Sequence, residues 1–371
     1  LDTGDVLAFW FGEPDQVTPE FIRTAASEAL AAGDTFYTHN LGLAELREAI
    51  AAYVSRLHRP ARSAEIAVTA SGMSALALAF QALIDPGDRV VAVTPVWPNL
   101  VEIPKILSAQ VERVALGFEP RGWTLDLDRL LAALTPVTRA LVINSPNNPT
   151  GWTATRDEQR AIFAHCERHG IWIVADDVYE RLYYRDDAIC APSFLDFAPA
   201  DARLVSTNSF SKAWLMTGFR LGWIVAPPAL VPDLATLIEY NTSCSPVFVQ
   251  RAGVVAIVDG ESTVAATRAR FRDARDRLVG GLRRMPGIDV ALPPGAMYAF
   301  FRIHGVGDSL AFCRELVRRE RLGLAPGCAF GPEGEGFVRW CFAATDERLD
   351  DGLHRLARYL DAQRPMRPTP G

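Results

Sequence analysis

Lysine is almost missing from this chain. Although lysine and arginine together number 38, the only lysines are Lys105 and Lys212, so chemistry that needs a side-chain primary amine has two places to go. Cysteine is sparse as well: Cys166, Cys190, Cys244, Cys313, Cys328 and Cys341 are scattered with no C-x-x-C pair, which argues against a disulfide framework or a cysteine metal site. They read as reduced packing thiols of a cytoplasmic protein, and no metal is expected. No apolar run approaches the length of a bilayer span, and the opening LDTGDVLAFW lacks the basic start of a secretory signal, so no membrane association is expected. Basic charge is not in excess either. A net charge of −6 leaves no footprint for nucleic acid or anionic lipid. Internal repeats, low-complexity stretches and long linkers are also absent.

What is present is ordinary for a globular protein: 49% hydrophobic and 22% charged residues over 371 positions, enough for two domains with a large core. After the turn-rich FWFGEPD, Thr18-Pro19-Glu20 predicts an N-cap, a first-turn proline and an acid, with Gly33 as the stop. In AELREAIAAYVSRLHRP, Leu46, Ile50, Tyr53, Val54 and Leu57 recur at helical spacing up to Pro60. The apolar runs RVVAVTP, VERVAL, RALVINS, IWIVAD, ARLVSTNSF and LGWIVAP then alternate with helical segments, the pattern of a parallel sheet covered on both faces. Beyond PALVPDLATLIEY come an Arg-rich helix, the short strands MYAFFRI and FVRWCFA, and a last helix. The fold class expected is α/β: a mostly parallel sheet covered by helices in a large domain, 36–250, plus a smaller α+β domain formed by both chain ends, 1–35 and 251–371.

Ligands of such sheets bind at the carboxyl ends of the strands. The polar residues there include Ser71-Gly72 at a strand-to-helix junction, where free backbone N–H groups make an anion site. Around Lys212, the run SFSKAWLMTGFRLG places a hydroxyl at Ser209 and a guanidinium at Arg220, a pair suited to holding a phosphate. A lysine buried beside another cation loses its proton near neutral pH and becomes a nucleophile. A Schiff-base lysine next to a phosphate grip points to pyridoxal phosphate.

The succession Tyr37 to Gly42, Ser71-Gly72, Trp97, NNPTG at 147–151, ADDVY at 175–179, SFSK at 209–212, FRLG at 219–222 and Arg339 resembles the class I/II aminotransferases, fold type I pyridoxal phosphate enzymes of the aspartate aminotransferase superfamily. The resemblance runs over nearly the whole chain. It implies that Lys212 binds the cofactor and then moves the substrate proton, in a ping-pong exchange between an L-amino acid and a 2-oxo acid. Asp176 would sit at the pyridine nitrogen; Tyr179 and Asn148 would bond the phenolic oxygen; Trp97 would stack on the ring. Ser71, Gly72, Met73, Ser209 and Arg220 would hold the phosphate. Tyr37 would reach the phosphate of a neighbouring subunit, making a homodimer with shared sites. Arg339 would clamp the substrate carboxylate, with Asn148 and the backbone of Gly12 beside it.

In one branch of aspartate aminotransferases a lysine at the position of Met73 pairs with the dicarboxylate side chain. Methionine here, with Trp10 and Phe11 beside Gly12, leads to the expectation of a neutral or aromatic amino donor. Motifs do not fix how the substrate is oriented, so a carbon–sulfur β-lyase on the same cofactor is the alternative reaction. A non-catalytic ligand-sensing domain is the alternative of another class.

Overall fold

The computed structural model describes residues 6–119 and 121–363. Seven strands form the main sheet: β1 (Ile66–Thr69), β2 (Arg89–Thr94), β3 (Gln110–Ala115), β4 (Thr138–Asn144), β5 (Trp172–Asp176), β6 (Leu204–Ser209) and β7 (Gly222–Val225), in the order β1-β7-β6-β5-β4-β2-β3. Every pairing among β2 to β6 is parallel; β7 alone runs antiparallel, to both β1 and β6. The sheet is buried on both sides because its strands are apolar at successive positions. Val91, Val93, Leu141, Ile143 and Ile173 enter one core, while Val90, Ala92, Ala140, Val142 and Val174 enter another. That is the period-2 alternation of a strand with no polar face.

Helices supply the covering layers. α1 (Glu20–Ala31) and α2 (Ala44–Leu57) lie on the first face; α3 (Gly72–Leu83) and α4 (Asn99–Ile106) lie on the second. The spacing read from sequence holds in α2, where Leu46, Ile50, Tyr53 and Val54 are all buried; the helix stops at Leu57, ahead of Pro60. α1 departs from expectation at its start. Pro19, not Thr18, occupies the cap position, and the Thr18 hydroxyl donates instead to the Leu215 carbonyl at 2.6 Å. A tertiary acceptor has outcompeted the local cap. α5 (Arg156–His169) does carry the full local signature, with Thr155 and Glu158 in a capping box and Gly170 left-handed at the end.

A second, antiparallel sheet comprises β8 (Ile288–Asp289), β9 (Tyr298–Ile303), β10 (Ala325–Pro326) and β11 (Phe337–Cys341), ordered β8-β9-β11-β10. Its core takes Phe9 from the beginning of the chain, packed against Trp340 at 4.9 Å between ring centroids. Leu7 and Ala8 pair in parallel with Leu322 and Gly323. Helices α7 (Glu261–Arg283) and α8 (Asp346–Gln363) pack on each other beside this sheet.

We propose a domain division shifted from the one expected. α6 (Val247–Asp259) buries Val249, Ala252 and Ala256 in the core of the main sheet, and α1 packs on α6 with Ile22 in that same core. The large unit therefore takes in α1 and all of α6, and the smaller unit keeps the segment around Phe9 and the chain from α7 onward.

Candidate active site

Strand ends deliver the polar residues. β1 leads to Ser71, whose hydroxyl accepts from the Ser74 amide at 3.0 Å and caps α3, so the first amides of that helix begin beside the ends of β6 and β7. The approach is close enough to demand glycine. A Cβ at Gly222, the first residue of β7, would stand 2.6 Å from the Gly72 nitrogen. On the other side, the Ser209 hydroxyl bonds that of Ser211 at 2.9 Å, and Arg220 reaches Ser211 at 3.4 Å. Arg220 adopts a left-handed backbone, φ +51°, a conformation that non-glycine residues seldom hold unless their surroundings impose it.

Lys212 lies in the turn after β6 and donates from Nζ to the Gly12 carbonyl at 2.6 Å. Burial, with Arg339 and Arg220 nearby, lowers its amine to about 8. Asp176 ends β5 and is 5% exposed; its carboxylate accepts from the Val178 amide at 3.4 Å. Burial, then the neighbouring Asp177, raises it to about 7. Asp177 is buried on the opposite side of the strand, where Ser206 and Ser193 donate to it at 2.6 and 3.2 Å.

Tyr179 and Tyr298 share a hydrogen bond between their hydroxyls at 2.7 Å. The Arg339 guanidinium lies 4.4 Å from the centre of the Tyr298 ring and 4.8 Å from that of Phe330. It donates to Asn148 Oδ1 at 2.9 Å and to the Trp10 carbonyl, while its Nε–H is buried with no acceptor in the protein. A buried charged donor left over in this way is costly unless a ligand completes it.

One cavity of 470 Å³ gathers these groups. Lys212, Asp176 and Tyr179 line it, as do Gly72, Met73 and Trp97, then Asn148, Ser209 and Arg220, and finally Gly12 and Arg339. Two expected residues do not line the cavity of this subunit. Ser71 acts as the helix cap and does not line the cavity, and Tyr37 is 87% exposed. Sequence reasoning missed Tyr298, which appeared only as a strand residue of MYAFFRI, along with Glu13 and Asn144, which also line the cavity. It also missed His58 at the end of α2. That imidazole is sandwiched between Asp196 at 2.7 Å and Glu180 at 3.0 Å, with its side chain 1% exposed. No local pattern announces such a histidine. Among the described residues there is no cluster of potential metal ligands, and no helix is long and apolar enough to cross a membrane.

The sequence matches the family model for aminotransferase class I and II over residues 5–356. The chain belongs to the class I and II aminotransferases. It is 36% identical over 364 residues to an aspartate aminotransferase of Pyrococcus horikoshii, covering 97% of this chain and 92% of the relative. A probable aspartate/prephenate aminotransferase of Aquifex aeolicus is 34% identical over 365 residues, covering 96% and 91%. Among solved structures, an aromatic aminotransferase from Pyrococcus horikoshii superimposes with a TM-score of 0.91 at 32% identity, covering 97% of both chains.

The protein is thus an aminotransferase that depends on pyridoxal phosphate. Its residues suit that group: a helix start crowded against Gly222 for a phosphate, a buried acid for a ring nitrogen, and one half-buried lysine with a lowered pKa for an aldehyde.

Proposed function

We propose that this aminotransferase moves the amino group of a neutral L-amino acid, apolar or aromatic, to a 2-oxo acid in two half-reactions that use one site in turn, a ping-pong mechanism. The observation that carries the reading is the convergence of Lys212, Asp176 and Arg339 on a single cavity. When bound, pyridoxal phosphate supplies a carbonyl carbon for amines and a ring that takes up the electron pair released at the substrate α-carbon. In this reading the amides of Gly72 and Met73 at the start of α3, set by the Ser71 cap, bind the phosphate together with Ser209 and Arg220. Trp97 would cover one face of the ring. Asp176 would keep a proton on the ring nitrogen through its carboxylate; Tyr179 and Asn148 would orient the ring through its phenolic oxygen. Arg339 and the backbone of Gly12 would fix the substrate α-carboxylate, the spare Nε–H of Arg339 donating to one of its oxygens. Lys212 Nζ would take the α-proton and return it two bonds away, across the nitrogen being transferred, a shuttle served by an amine whose pKa of about 8 is near the working pH.

The choice of a neutral donor follows from counting cations. Among the described residues lining the cavity, the cations are Lys212, Arg220 and Arg339, and each already has a partner in this scheme. A second carboxylate would enter a site without a free positive charge, an unfavourable burial. Trp10, Phe11, Met73 and Leu76 offer apolar surface instead. The relatives' names point both ways, to aspartate and to aromatic substrates.

The exposed aromatics Phe36, Tyr37 and Tyr240, each more than 80% accessible, support a homodimer in which Tyr37 completes the partner's phosphate site. Six free cysteines suit a cytoplasmic setting. The test of the function is a half-reaction screen: the holoprotein is mixed with single amino acids and the bound cofactor's absorbance is followed toward its pyridoxamine phosphate form. Conversion by neutral amino acids is expected, and absence of conversion by any amino acid overturns the reading.

A further inference from the structure

Tyr298 is 1% exposed, lines the cavity and touches three residues of the proposed machinery. Its hydroxyl is 2.7 Å from that of Tyr179. Its ring lies under the Arg339 guanidinium at 4.4 Å, an arrangement fixed by sheet register: Phe300 faces Arg339 across β9 and β11, and Tyr298, two residues earlier on the same face of β9, is diagonal to it. It also limits Gly12, where a Cβ would stand 2.1 Å from the Tyr298 oxygen, so the backbone can come this near the site only as glycine.

A neutral tyrosine has one proton to donate. Burial raises both hydroxyls above their usual range, to about 12 for Tyr298, so both carry that proton at neutral pH. Between the two, one hydroxyl donates and the other accepts. If Tyr179 spent its proton on Tyr298 it would have none for the cofactor's phenolic oxygen. The opposite direction, Tyr298 to Tyr179 and onward, satisfies all three oxygens and strengthens the outer bond by polarisation.

We infer that Tyr298 is a positioning residue with two separable functions: its hydroxyl donates to Tyr179 and frees the Tyr179 proton for the cofactor, and its ring carries the Arg339 guanidinium that receives the substrate carboxylate. The inference rests on the roles proposed above for Tyr179 and Arg339. Tyr298→Phe removes the hydroxyl and keeps the ring; Tyr298→Leu removes both.

The hydroxyl is tested by titrating the absorbance of the bound cofactor with pH, without turnover. The midpoint is expected to rise in Tyr179→Phe, to rise by a smaller amount in Tyr298→Phe, and to move no further when Tyr298→Phe is added to Tyr179→Phe. The ring is tested with 3-phenylpropionate, which has the carboxylate but no amine. Its Kd is expected to stay near the wild-type value in Tyr298→Phe and to rise about 3- to 30-fold in Tyr298→Leu, the range for losing a buried cation–π contact. A shift in Tyr179→Phe with none in Tyr298→Phe, additive shifts in the double variant, or unchanged 3-phenylpropionate binding in Tyr298→Leu overturns the inference alone. An unshifted midpoint in Tyr179→Phe overturns the role of Tyr179, and the inference with it.

Discussion

Lys212 donates to the Gly12 carbonyl at 2.6 Å, closing a loop of 200 residues. The partner is neutral. A carboxylate bonded there would raise the amine's pKa, whereas a carbonyl holds the amine in place and leaves burial to keep it at about 8. The same bond ties the N-terminal segment, whose Leu7 and Ala8 pair beside the second sheet, to the turn after β6. The Lys212 amine is therefore positioned by both ends of the architecture.

Replacing Lys212 with Ala is expected to abolish transamination while leaving a folded protein that still takes up pyridoxal phosphate, because the contacts to phosphate and ring need no amine. Borohydride reduction of the wild type followed by peptide mapping should find the cofactor on Lys212. Label on Lys105, the other lysine, would move the site elsewhere.

Asp176→Asn should slow α-proton removal by roughly 10²–10³, the order observed when a preorganised electrostatic group is lost, with a much smaller change in cofactor affinity. An amide cannot keep a proton on the ring nitrogen. The comparison is single-turnover deprotonation against equilibrium binding of the cofactor; equal rates for the two proteins would remove Asp176 from this role.

With one fixed acceptor, kcat/KM for alanine, leucine or phenylalanine is expected to exceed that for aspartate. The reason is the absence of a spare cation among the described cavity residues. A clear preference for aspartate would mean that a positive group from a partner subunit enters the cavity.

His58→Gln should lower stability by about 3 kcal/mol below pH 6.5, as when one member of a buried ion pair is removed. Burial by itself lowers the imidazole's pKa, but hydrogen bonds and charges from Asp196 and Glu180 outweigh it and raise the group from 6.5 to about 10. The groups facing it are Glu180, which also accepts from Tyr53 and Asn208, and Asp196, which is also paired with Arg156. Because the folded value lies above the unfolded one, the stabilisation is complete below pH 6.5 and disappears as pH rises through about 10. Urea midpoints measured from pH 6 to 10 should fall more steeply in wild type than in His58→Gln; parallel curves would show that His58 is uncharged in the folded state.

The sequence by itself determined the sheet strands, the helical pattern of α5 and the motif order that identifies the family. These are local signals: a two-residue or 3.6-residue period states which face of an element is buried, and a turn motif states where the backbone must bend. Tertiary structure alone decided what each buried face meets. Thr18 carries a cap signature, yet its hydroxyl goes to Leu215; α1 falls within the span expected for the smaller domain, 1–35, yet Ile22 lies in the core of the main sheet. His58 and Tyr298 carry no local mark at all, because their partners, Glu180 and Asp196 for one, Tyr179 and Arg339 for the other, come from segments far away in the chain and are brought near only when the two sheets and their helices pack. A buried polar side chain must find a partner wherever packing places it, and no period in the sequence records that choice.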